Sequence, residues 1–79
     1  LQWELGLPDS LMEFIYSIGR ELQDQNAITE GKALFRFLMA LNPYQGTFWG
    51  QYGLLFMKEG NHEEARSSFE IARFFSPED

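Results

Sequence analysis

The sequence predicts an all-α fold: two helix-turn-helix repeats, a fragment of an α-solenoid, behind a short N-terminal segment. Three observations lead there. Apolar residues recur at helical spacing in four stretches, and no stretch alternates apolar and polar over strand length between turn residues. The chain also resembles itself at an offset of 34 residues.

The elements follow in order. In "SLMEFIYSIGRELQD", Ser10 followed by Glu13 has capping-box spacing, and Pro8 and Asp9 are further start signals. Helix one is therefore expected from about Leu11, with Leu11, Phe14, Ile15, Ile18 and Leu22 on one face, until "QDQN" closes it. Helix two, "TEGKALFRFLMAL", ends at Leu41 because Pro43 pushes Asn42 out of the helical region. Helix three covers about Phe48 to Glu59, and Gly60 stands where a left-handed cap is wanted. Asn61 with Glu64 is a second capping-box pair, opening a helix that runs to about Phe75. Short connections make neighbouring helices antiparallel.

Between the two repeats, five residue pairs are identical at the 34-residue offset: Phe14 and Phe48, Gly19 and Gly53, Glu30 and Glu64, Phe35 and Phe69, Pro43 and Pro77. Composition alone would give about two. Position classes agree further, since Ile15 pairs with Trp49, Ile18 with Tyr52, Leu22 with Phe56, Asn26 with Gly60 and Leu41 with Phe75. The chain divides accordingly into a capping or dimerisation segment at 1–10, one repeat at 11–45 and a second at 46–79, with a third absent or truncated. Because Leu1 is not a methionine and no signal pattern follows, the chain reads as a piece of something longer.

Composition narrows the function. A net charge of −6 argues against nucleic acid or an anionic membrane surface as the partner. Without cysteine there is neither a disulfide scaffold nor a thiol nucleophile, which points to a reducing compartment such as the cytoplasm. No apolar run approaches the about eighteen residues that span a bilayer. Helix two, with Leu34, Phe35, Phe37, Leu38, Met39, Ala40 and Leu41, is apolar almost all round, so burial on more than one side is expected.

In the second repeat Trp49, Tyr52, Gly53, Phe56, Ala65, Phe69, Ala72 and Pro77 stand in the order and spacing of the tetratricopeptide repeat, which the chain resembles from residue 12 to 79. The first repeat departs from that pattern at Gly31, where a packing alanine is usual, and at Leu38, where a small residue is usual. In that family the first helix of each unit lines a concave groove that holds extended peptides or partner helices. The resemblance implies a partner-binding face made by Glu13, Tyr16, Arg20 and Gln23 of helix one and Thr47, Gly50, Gln51, Leu54 and Met57 of helix three. Leu54 and Met57 have a second reading, as packing against a further repeat.

The lysine and asparagine clamp of the co-chaperones that grip acidic chaperone tails is missing, since Tyr16, Arg20 and Gln51 stand there. The segments "IYSIG", "FRFLMALNPY" and "FWGQYGLLFMKEG" are similar to the tetratricopeptide chaperones of bacterial type III secretion, which bind hydrophobic translocator subunits before export. That likeness implies a bacterial, cytoplasmic chaperone. It would hold an extended, proline- and leucine-containing client segment in its groove, and homodimerise through its N-terminal part. Arg20 and Gln23 replace aromatics frequent in relatives. A generic tetratricopeptide adaptor joining two folded proteins is the alternative.

An enzyme is not expected. His62 is the sole histidine and falls on a turn, where a general base would lack a cleft and an orienting partner. Glu63 and Glu64 fit the positive end of helix four instead. No metal-ligand spacing occurs, and Gly46, Gly50 and Gly53 are not followed by the Lys-Ser or Lys-Thr of a phosphate loop. No cofactor is implied.

Overall fold

The computed structural model describes residues 8–76. It contains four helices, α1 (Asp9–Asp24), α2 (Ile28–Leu41), α3 (Gly46–Glu59) and α4 (His62–Phe75), and no strand among the described residues. Each helix packs on its neighbour in sequence, α1 on α2, α2 on α3 and α3 on α4. Most of the expected N-terminal segment, with Trp3, and the closing Pro77 lie outside the described residues.

The 34-residue offset recurs in the backbone hydrogen bonds. At the end of α1, the Asn26 N–H donates to Gln23 O at 3.0 Å and the Ala27 N–H to Leu22 O at 2.9 Å. At the end of α3, Gly60 and Asn61 make the same two bonds to Met57 O and Phe56 O, at 3.0 and 2.9 Å. This is the Schellman closure, which needs a left-handed residue after the helix. Asn26 (φ 60°) and Gly60 (φ 84°) both supply it. Asparagine is one of the few side chains that reach that region at modest cost. The second helices also end alike, with Asn42 donating to Leu38 O and Ser76 to Ala72 O, each at 2.9 Å.

Packing within each pair repeats as well. A Cβ placed on Gly19 would lie 2.8 Å from Cζ of Phe35, and one on Gly53 would lie 2.8 Å from Cε1 of Phe69. Each glycine thus lets the phenylalanine of the paired helix press against its backbone. The core itself straddles the two units: Phe35, Leu38 and Leu55 are fully buried, and Met12, Met39 and Phe48 close around them. Gly31 belongs to this core. A Cβ there would stand 3.1 Å from Cδ1 of Leu55, so the missing alanine methyl makes room for a leucine of the next unit.

Helix starts differ from the sequence expectation in two places. α1 begins at Asp9 rather than Leu11, and the Ser10–Glu13 capping box does not form, because Ser10 already lies inside the helix. Pro8 provides the start instead. Its backbone is extended, and its carbonyl accepts from the Leu11 and Met12 N–H groups at 3.1 Å. α3 begins at Gly46 rather than Phe48, so Gly46 is helical and not part of the turn. It is buried against the end of α4, where a Cβ would meet Ala72 O at 2.7 Å. The second box is realised on one side, with Asn61 Oδ1 accepting from the Glu64 N–H at 3.4 Å.

The joint between the units is short and tied. The Trp49 indole Nε1 donates to Pro43 O at 2.8 Å, and Asn42 Oδ1 accepts from the Tyr44 N–H at 3.3 Å. The Tyr44 ring meets Phe75 edge-on at 5.5 Å, linking the joint to the end of α4.

Two alanine substitutions should therefore move stability in opposite directions. Gly19→Ala forces a methyl into the immobile Phe35 ring, and overpacking of that kind costs about 1–3 kcal/mol, more than the helix propensity gained. A Cβ on Gly50 meets only Ala72 Cβ at 4.0 Å, so Gly50→Ala should stabilise by up to about 1 kcal/mol. Urea denaturation followed by circular dichroism reads both signs.

Candidate functional site

The groove face begins where the first helices of the two units meet. Tyr16 of α1 is half-buried, its ring centroid 5.9 Å from Phe35 and 5.8 Å from Phe48. Between the N-terminal halves of α1 and α3 lies an open hollow of about 340 Å³. Asp9, Glu13, Tyr16, Gln45 and Thr47 line it together with the buried Met12 and Phe48. Apolar side chains with two carboxyl-bearing residues at one mouth suit a ligand that is apolar along its length and carries donors or positive charge at one end.

Further along α3, Gly50, Leu54 and Met57 fall at i, i+4 and i+7 and share a face. Leu54 is 40% and Met57 47% exposed, so both offer apolar surface outward. Gly50 and Thr47 open onto a second hollow of about 430 Å³, bounded across from them by Phe69, Ala72 and Arg73 of α4. Gln51 lines the same hollow, and its Oε1 is buried without a hydrogen-bond partner. An amide oxygen kept from water and unpaired costs about 1–3 kcal/mol.

The remaining residues of the expected face are not equivalent. Arg20 is exposed on α1. Gln23 is only 5% exposed, so its side chain is not presented outward. Its carbonyl accepts from Lys58 Nζ at 3.0 Å, and Lys58 also reaches Asn26 Oδ1 at 3.1 Å. The C-terminal end of α1 is the negative end of the helix dipole, the place where a cation is favoured. Gln23 is thus buried at the end of α1, where Lys58 of α3 reaches over it.

Sequence reading passed over a polar cluster between the units. Lys32 Nζ donates to both carboxylate oxygens of Glu59 at 2.8 and 2.9 Å and stands 4.7 Å from the centroid of the Phe56 ring. Arg36 Nη1 approaches the Tyr52 hydroxyl at 3.4 Å. The residues concerned lie 27 and 16 positions apart, so no local motif could have announced them. The cluster orients α3 on α2, and by doing so fixes how Thr47, Gly50 and Gln51 stand relative to Tyr16. His62 is exposed at the first turn of α4, with Met57, Arg66 and Arg73 around the same shallow hollow.

Replacing Gln51 by methionine keeps the side chain's length and removes the orphaned oxygen. Gln51→Met should raise the unfolding free energy by about 1 kcal/mol, measured as the shift of the urea midpoint at unchanged slope. No protein-family model matches the chain, and neither a curated protein nor a solved structure matches it, so the functional reading rests on this geometry and on the sequence.

Proposed function

We propose that this chain is a chaperone of the type III secretion kind, holding an apolar segment of a hydrophobic translocator subunit in the groove face of α1 and α3. The observation that carries the reading is the arrangement on α3: exposed Leu54 and Met57 beside the unpaired Gln51 Oε1. An extended client offers what that arrangement lacks. Its side chains cover Leu54 and the adaptable thioether of Met57. Tyr16 and Thr47 would border the same segment, and the carboxylates of Asp9 and Glu13 would keep a client with acidic flanks from entering at that end.

No reaction is needed for such a role. Covering the client's apolar surface is itself the activity, because an uncovered segment aggregates. Its place of action is the bacterial cytoplasm, before export. Among the described residues no helix is long and apolar enough to cross a membrane, which fits a protein that meets its client outside the bilayer.

Co-expression with a translocator subunit that is insoluble alone tests the proposal. The client should appear in the soluble fraction and co-purify with the chain. The exposed double substitution Leu54→Glu with Met57→Glu should return it to the pellet, while the chain keeps its helicity by circular dichroism. A client that stays insoluble with the unsubstituted chain, together with capture of folded proteins by the same face, would favour the adaptor reading instead.

A further inference from the structure

The interface between the two units has a donor side and an acceptor side, and the chain carries an unused copy of each. On the donor side, Phe48 and Leu55 of α3 enter the first unit and are 5% and 0% exposed. Phe48 settles beside Tyr16, and Leu55 fills the space over Gly31. Thirty-four residues earlier the same two positions are Phe14 and Glu21 on α1. There Phe14 is 62% exposed, with Leu11 and Ile18 exposed in the same stripe.

On the acceptor side, the counterparts of Tyr16 and Gly31 are Gly50 and Ala65. Gly50 opens the hollow against α4, where a glycine has replaced the tyrosine and left room for an aromatic ring. Ala65 lies in the neighbouring hollow with Arg66, Glu70 and Arg73, and Arg66 is paired with Glu70 at 3.7 Å. The two unused surfaces are therefore complementary in kind. Phe14 meets the hollow at Gly50, where Phe69 and Ala72 supply an apolar wall, and the carboxylate of Glu21 comes beside Arg73 at the place where Leu55 meets Gly31 inside the chain.

We infer that a second copy of this chain docks head to tail, the α1 face of one copy on the α3–α4 face of the next, in the register that already relates the two units. The docked copy and the client compete, since the hollow at Gly50 and the side chain of Met57 belong to both contacts, so association is read on the chain without client. Such a contact is heterologous and does not close on itself, so it propagates as a solenoid does. It is also weaker than the internal joint. Lys58, which donates to Gln23 O and Asn26 Oδ1, has Asp24 for its counterpart, and an acid cannot make those bonds. Association should accordingly depend on concentration and weaken with salt, because Glu21 and the two arginines are exposed.

Sedimentation of the full chain tests this with two variants. Phe14→Asp blocks the head, and Arg66→Glu with Arg73→Glu blocks the tail; all three positions are exposed, so helicity should be unchanged. The unsubstituted chain should rise in average mass with concentration without stopping at a dimer. Each variant alone should remain a monomer, with self-association at least about tenfold weaker, and the two mixed should give a one-to-one dimer and nothing larger. A monomeric unsubstituted chain at every concentration overturns the inference. So does a tail-blocked variant that still dimerises, because that would mean two α1 faces pair symmetrically.

Discussion

A phenylalanine ring pressed against the glycine of its partner helix sets the spacing of each helical pair, Phe35 on Gly19 and Phe69 on Gly53. Everything else is placed by that approach. With the first pair held close, Tyr16 can touch Phe35 and Phe48 at once, and Leu38, Leu55 and Phe35 lose all contact with water. Burial of three such side chains contributes on the order of 1.5–3 kcal/mol each, a large share of what a chain of this length can muster. The second pair repeats the contact but has less above it, since α4 buries only Ala65 and Ser68.

Much of the fold was legible because the informative signals were local or periodic. Gly60 and its counterpart Asn26 could be aligned by the 34-residue offset, and both turn out left-handed. Pro43 did stop α2 at Leu41. The misplaced starts have a common cause. Ser10 has the chemistry of a cap, but Pro8 already presents an extended backbone and a free carbonyl two residues earlier. Gly46 looks like turn punctuation, yet its missing side chain is demanded by the Ala72 carbonyl of α4, 26 residues away in sequence. Position preferences do not record such distant contacts.

The candidate face shows the same division. Exposed Leu54 and Met57 and half-buried Tyr16 follow from helical phase. Burial of Gln23 does not. Nor could the orphaned Gln51 oxygen or the Lys32–Glu59 pair be read from spacing. A partly exposed ion pair of this kind contributes below about 1 kcal/mol, so its consequence is orientation more than stability.

The paired closures at Asn26 and Gly60 also bear on mechanics. Within each unit the turn is locked by two backbone hydrogen bonds, so a hairpin of helices resists shear as one piece. Between units the shared core of Phe35, Leu38, Phe48 and Leu55 is joined by the Trp49 indole, one aromatic pair and a few long cationic side chains. Under load the hairpins can therefore shift against each other only by shearing that shared core, so the two units respond as one stiff block.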